Sequence, residues 1–232
     1  SKTTVEECSV HRLGGVCVVA LDSRGVHLSR GDSSPTLLSA LQHSALHDTL
    51  ADVHYKVVIL ACDMPFVLER QQGFHGLKSA ARQGPRSWSS SHPEELETLL
   101  VSLFEWKHAQ YPEREVVLVS GGLGFGTVGD ICDHRLELSI PVVITGPTLG
   151  RVCEPAQWKM QSTLPGGRFS YAYRNPVDSW NFCTIAIDLA ASRHQPTVEV
   201  QLVDAPVPEG TAWPDSAPPP KGSAAALGRS GP

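Results

Sequence analysis

The sequence predicts an α/β fold, a layered domain in which helices flank a sheet and antiparallel strands finish the C-terminal end. Three observations predict it. Apolar runs of strand length, "GGVCVVALDSRG", "YKVVILACDMPFV" and "REVVLVSGG", each stop at Asp, Pro or Gly, as buried strands closed by turns do. Segments of helical character lie between them, and strands alternating with helices build a layered domain. After "SIPVVITG" the pattern switches to alternating segments joined by turns, "GRFSYAYRN", "WNFCTIAIDLA" and "PTVEVQLVDA", which leave no room for helices and read as antiparallel strands.

Each element has a local cause. The first strand lies in "VCVVAL" and ends at Asp22 and Gly25. "LLSALQHSALHDTLADV" sets Leu38, Leu41, Leu46 and Leu50 near helical spacing, and Ser34 before Pro35 predicts where that helix starts. The second strand closes at Asp63 and Pro65. "ERQQGFHGLKSAARQGPRSWSSS" has no periodicity and reads as a long excursion of the kind that rims sites. "HPEELETLLVSLFEWKHA" opens on Pro and Glu, repeats apolar residues at Leu96, Leu99, Leu100, Leu103, Phe104 and Trp106, and ends in basic residues, a helix with charges that suit its dipole. A third strand, a glycine-rich loop and a fourth strand follow. The domain spans 1–204, and 205–232 is a Pro, Gly, Ala and Ser tail that cannot bury enough apolar surface to offset its ordering entropy and is expected to be disordered.

Composition narrows the function. The formal net charge is -5 over 232 residues with no clustered basic face, which argues against nucleic-acid binding. No apolar stretch is long enough to span a bilayer, and "SKTTVEECSVHRLGG" lacks the order of a signal peptide. The chain begins with Ser, so processing or a longer parent is an expectation. None of the six cysteines, Cys8, Cys17, Cys62, Cys132, Cys153 and Cys183, forms a CxxC pair; buried free thiols are expected, favouring an intracellular, reducing compartment.

"SGGLGFGTVGD", Ser120 to Asp130, is the richest stretch in glycine. Gly124, Gly126 and Gly129 match the spacing GxGxxG, but only "DICDHRLEL" separates them from the next strand, too short for the crossover helix that would face a pyrophosphate. No Lys-Ser or Lys-Thr follows for a P-loop. A plain turn at a strand end remains.

The order of the segments "VVALDSRG", Gln42 in a helix, "YKVVILACDMPFV", Trp88 ahead of "HPEELETLLVSLFEW", "VVLVSGG" and "WNFCTIAID" resembles the later part of the PhoD-like alkaline phosphatases, metallophosphoesterases built from two facing sheets flanked by helices. The resemblance runs over most of Val16 to Asp188 and implies a partial sandwich of that kind. It implies metal-dependent hydrolysis of phosphate mono- or diesters, with metals such as Fe and Ca. That family places Ser-Gly-Asp-Val-His after the third of these strands. Aligned on Ser120 and Gly121, the Asp falls on Gly122 and the His on Gly124, so Gly121, Gly122 and Gly124 resemble a former metal loop without its ligands. The fifteen residues before Val16 contain neither of the family's earlier metal motifs. The expectation is therefore no metal in this chain, with either a longer protein that acts on a phosphoester or a catalytically inactive binding or scaffold module. Half a sandwich would bare an apolar sheet face, so a dimer or a protein partner covering it is expected.

Other candidates are weaker. Asp22 and Arg24 stand at a strand end, where α/β folds gather functional groups; an ion pair or turn cap is the default reading, and Arg24 is a candidate phosphate contact. Asp130, Cys132, Asp133 and His134 put four metal-capable residues in one span, with His134 a candidate catalytic group, but adjacent side chains diverge and a solvated turn is expected. Asp63 and His75 border the excursion. Trp180, Asn181 and Phe182 are expected to pack the last part of the sheet.

Overall fold

The computed structural model describes residues 8–23, 36–71, 87–146, 155–190 and 195–205. In chain order its elements are β1 (Cys8–Leu13), β2 (Val16–Leu21), α1 (Ala40–Ala51), β3 (Val57–Cys62), β4 (Glu69–Arg70), α2 (Trp88–Ser91), α3 (Pro93–Ala109), β5 (Glu115–Ser120), β6 (Gly126–Asp133), β7 (Leu138–Ile144), β8 (Trp158–Lys159), β9 (Gln161–Thr163), β10 (Phe169–Val177), β11 (Asn181–Asp188) and β12 (Thr197–Asp204). The fold is mixed α/β, with one large mixed sheet and few helices.

The large sheet has eight strands in the order β1-β2-β3-β5-β7-β6-β10-β9. Its centre, β2, β3, β5 and β7, is parallel, and antiparallel strands flank it at both sides. The parallel strands are apolar on both faces because both are covered. On one face Cys17, Val19, Leu21, Val58, Leu60, Cys62, Val116 and Leu118 pack against Leu46 of α1 and the apolar stripe of α3. On the other, Val16, Val57, Ile59 and Val117 pack under Ile185, Ile187, Val198 and Val200 of β11 and β12, which pair only with each other. That hairpin therefore covers the second face of β2, β3 and β5.

α3 follows the sequence closely. Pro93 opens it, Glu94 and Glu95 occupy the first turn, Lys107 and His108 the last, and all six expected apolar residues are buried. Burying each such large side chain stabilises the fold by about 1.5–3 kcal/mol. Lys107 is buried with them, its Nζ donating to Glu115 Oε1 at 2.6 Å and to the Ser139 carbonyl at 2.7 Å.

α1 departs from the expectation. Its N-cap is Ser39, whose side chain accepts from Gln42 N; Ser34 and Pro35 lie outside the described residues. Leu38 is buried before the helix begins, Leu41 is 61% exposed, and Gln42 is fully buried. The reason is polar: Glu95 of α3 accepts Leu37 N at 2.6 Å and Leu38 N at 3.1 Å, which fixes the chain ahead of the helix and sets its rotation.

The span read as a solvated turn also departs. Gly126–Asp133 is strand β6, antiparallel to β7 and β10. Two pieces of the long excursion lie among the described residues. Glu69 and Arg70 pair with Lys159 and Trp158, and α2 is stacked through Trp88 on Phe66 with ring centroids 5.4 Å apart. His75 lies outside the described residues, as do the tail 206–232 and Cys153. Of the described cysteines, Cys17 and Cys62 are buried and Cys8, Cys132 and Cys183 half-buried. No described helix is long and apolar enough to cross a membrane.

Candidate functional site

In an open α/β sheet, ligands bind beyond the C-terminal ends of the parallel strands, because loops and helix starts gather there. In this chain those ends are Leu21, Cys62, Ser120 and Ile144, and the residues just past them form the candidate site: Asp22 and Ser23, Asp63, Gly121 and Gly122, and Thr145 and Gly146. Asp22 and the glycine turn both lie just past the ends of parallel strands. His134 stands elsewhere: it follows Asp133 at the far end of β6, where β7 begins, at the opposite end of the sheet from Asp22. It is exposed, with its N–H on the Arg168 carbonyl. The candidates Asp22 and His134 are therefore not brought together. Arg24 lies outside the described residues.

The polar groups of this end bond to one another. Gln42 reaches from α1 to the end of β2, its Oε1 accepting Asp22 N at 3.0 Å and its Nε2 donating to the Asp22 carbonyl at 3.1 Å. Asn181 does the same at the end of β7. Its Oδ1 accepts Gly146 N at 2.9 Å and its Nδ2 donates to the Gly146 carbonyl at 3.0 Å and the Ser179 carbonyl at 2.8 Å. Both amides are buried, and each replaces the backbone partner that a strand end lacks. Between them, Asp63 Oδ1 accepts from the Ser23 hydroxyl, from Ser23 N at 3.3 Å and from the Cys62 thiol at 3.7 Å. Burial pushes that thiol up to about 12, so it acts as a weak donor, not as a thiolate nucleophile or metal ligand.

The glycine turn sits on this network. Gly121 N donates to the Cys62 carbonyl at 3.3 Å. Gly122 has φ +82, and a Cβ built there stands 2.5 Å from the Asp63 carbonyl oxygen. Only glycine adopts that backbone conformation and that approach together without strain. The residues that follow turn inward, Leu123 and Phe125 both buried in the main core, and Gly126 lies so close to Asn181 that its own Cβ would overlap the amide. The turn is anchored by two apolar side chains and held flat against the ends of β3 and β11.

A metal of the kind the resemblance implies does not fit this arrangement. The position aligned with the family's Asp cannot carry a side chain on its present path, and one oxygen of Asp63 is engaged by three donors. Among the described residues, no three His, Cys, Asp or Glu side chains come together as a ligand set. The acidic span after the turn is likewise engaged: Asp130 pairs with Arg174 at 2.5 Å and Asp133 with Arg168 at 2.7 Å. Asp133 is fully buried. Burial alone would raise its carboxyl, but the Arg168 hydrogen bonds and the N–H groups of Arg135 and Leu136 outweigh that and hold it below 3.8. Sequence reasoning missed Asn181 and Gln42 as site residues; each is an ordinary amide whose partner lies 35 and 20 residues away, with no local signal.

Comparison with known proteins is sparse. No family model matches the chain, and no curated protein matches it. A solved structure described as "Structure of PhoD" is similar, with a TM-score of 0.43 and 13% sequence identity. The similarity covers 88% of this chain and 45% of that one, so the chain spans less than half the length of the protein it is compared with.

Proposed function

We propose that the chain is part of a PhoD-like phosphatase fold used as a non-catalytic binding or scaffold module. The observation that carries this reading is the turn at Gly122: where the resembled family sets a metal-site Asp, the backbone here is left-handed and packed on the Asp63 carbonyl. A di-metal hydrolase needs carboxylates and imidazoles to hold the cations that activate hydroxide and clamp the phosphoryl oxygens. With Gly122 and Gly124 at those positions, the loop supplies neither.

A second reading, a metal-dependent phosphoesterase completed by a longer polypeptide, is favoured by one observation: Asp22 and Asp63 both stand just past parallel strand ends. One experiment separates the two. The full-length protein, purified and supplied in turn with iron, calcium, zinc and manganese, is assayed on bis(p-nitrophenyl) phosphate while its metal content is measured by mass spectrometry. The binding-module reading expects no hydrolysis above the metal-only blank and no stoichiometric metal. Retained stoichiometric metal with turnover would overturn it in favour of the second.

A further inference from the structure

We propose that the exposed face of α1 carries a site for an exchangeable, nitrogen-preferring divalent ion such as Ni2+ or Cu2+, held by the imidazoles of His43 and His47. Both residues lie within α1, and positions four apart stand on one face of a helix with Cβ atoms about 5–6 Å apart. Helical side chains lean toward the N-terminus, so the ring of His47 leans over the turn that carries His43. An ion bonded at about 2 Å to one nitrogen of each ring spans that gap. The two side chains are 49% and 82% exposed, so the face is open to an ion from solution.

The setting of His43 is what distinguishes the pair from two surface histidines. Its Nε2 lies 3.1 Å from Glu95 Oε1, and Glu95, 8% exposed in its side chain, is itself fixed by Leu37 N and Leu38 N. An ionised carboxylate only accepts hydrogen bonds. In the neutral imidazole Nε2 therefore carries the hydrogen, and Nδ1 keeps its lone pair for a metal. Metal-ligating histidines are oriented in this way, by a carboxylate that takes the other ring N–H, fixes the tautomer and raises the basicity of the ligand. His47 is held less closely. Its Nδ1 stands 3.7 Å from Asp48 Oδ1, beyond hydrogen-bonding distance, so that contact leaves the ring able to turn, while the carboxylate, 76% exposed, adds negative charge beside the cation.

The donor set selects the ion. Neutral imidazoles suit nickel, copper and zinc, affinity peaks at copper, and calcium and manganese prefer oxygen ligands. No group of three potential ligands forms among the described residues, so water completes the coordination. Two protein ligands are fewer than the three of a catalytic zinc site, and the ion exchanges. The site lies on the helix, apart from the glycine turn, and does not depend on the reading of that turn.

The test is isothermal titration of the full chain, free of any polyhistidine tag, with nickel chloride. The wild type is expected to bind nickel saturably. His43→Ala and His47→Ala should each weaken binding by at least about tenfold, the smallest loss that removing even an outer partner of a ligand gives. His54→Ala, a histidine paired with Asp52 outside α1, should bind as the wild type does. A wild type that takes up no nickel, or nickel binding that survives His47→Ala unchanged, overturns the proposal. Should His43→Ala fail to fold, His47→Ala decides, because its side chain is exposed. Nickel is absent from the phosphodiester assay, so either result can fail without the other.

Discussion

Gly122→Ala is the smallest change that tests whether the turn is closed to side chains. The added methyl would stand 2.5 Å from the Asp63 carbonyl oxygen on a backbone at φ +82. Holding a non-glycine residue in a sparsely populated backbone region costs about 1–3 kcal/mol. Forcing apart a packed contact costs about 1–3 kcal/mol more, for a sum of roughly 2–6 kcal/mol. For a domain of this size each kcal/mol lowers Tm by about 2–4 °C, so the melting temperature should fall by at least about 4 °C. Gly121→Ala is the internal control: its Cβ would meet nothing nearer than the Thr145 carbonyl at 3.7 Å, an ordinary contact, and its effect should stay within about 0.5 kcal/mol. Gly122→Asp adds the family's ligand and should be destabilised at least as much as Gly122→Ala, with no gain in bound metal. The assay is thermal unfolding followed by circular dichroism, with and without added manganese. A Gly122→Ala protein that melts with the wild type would refute the steric reasoning, and a Gly122→Asp protein stabilised by metal would refute the functional reading built on it.

The remaining predictions concern the groups around that turn. Asp133→Asn removes the buried carboxylate that Arg168 and the N–H groups of Arg135 and Leu136 engage and should cost about 1–3 kcal/mol at neutral pH. Because the folded carboxyl is held below 3.8, the ionised pair stabilises the fold above that value and the contribution is lost as pH falls through the folded value. The gap between wild type and variant should therefore narrow in acid, and a constant gap in urea titrations would contradict it. Gln42→Glu puts a carboxylate against the Asp22 carbonyl where an amide N–H now donates at 3.1 Å, a loss of about 1–3 kcal/mol visible in the urea midpoint; an unchanged midpoint would contradict the clamp. Cys62, with its thiol pushed up to about 12 by burial, should resist iodoacetamide in the native protein and react once unfolded, as peptide mass mapping can show; native labelling of Cys62 would contradict its placement.

The central parallel strands and α3 were legible because local pattern and tertiary environment agree in them. Two faces are covered, so the strands are apolar throughout, and one face of α3 is covered, so its apolar residues recur with the helical period. β6 was not legible, for a definite reason. Its buried positions are Gly126, Thr127, Gly129, Ile131 and Asp133, of which only Ile131 is a large apolar residue. The Thr127 hydroxyl is satisfied by the Arg174 carbonyl at 2.8 Å and Asp133 by Arg168, partners that lie in β10 and immediately before it. A strand whose inward side chains are satisfied by a neighbour more than thirty residues away shows no alternation of its own. The start of α1 was misplaced for the same kind of reason: Glu95, 57 residues from Leu38, fixes the chain there.

The site divides along the same line. That α/β chains gather groups at the C-terminal strand ends was enough to place Asp22 and the glycine turn, and the spacing of His134 in sequence gave no sign that it sits at the other end. What the groups do at that end depends on Gln42 and Asn181. Each amide spends its donor and its acceptor on one strand-end residue, Asp22 or Gly146, and Asp63 spends an oxygen on Ser23 and Cys62. Unsatisfied buried polar groups are what a resident cation would complete. An end that closes these hydrogen bonds internally has less to gain from one. The glycine turn belongs to that closure: Gly122 has no side chain so that β5 can end against the carbonyl of Asp63, and Leu123 and Phe125 lock the path in place.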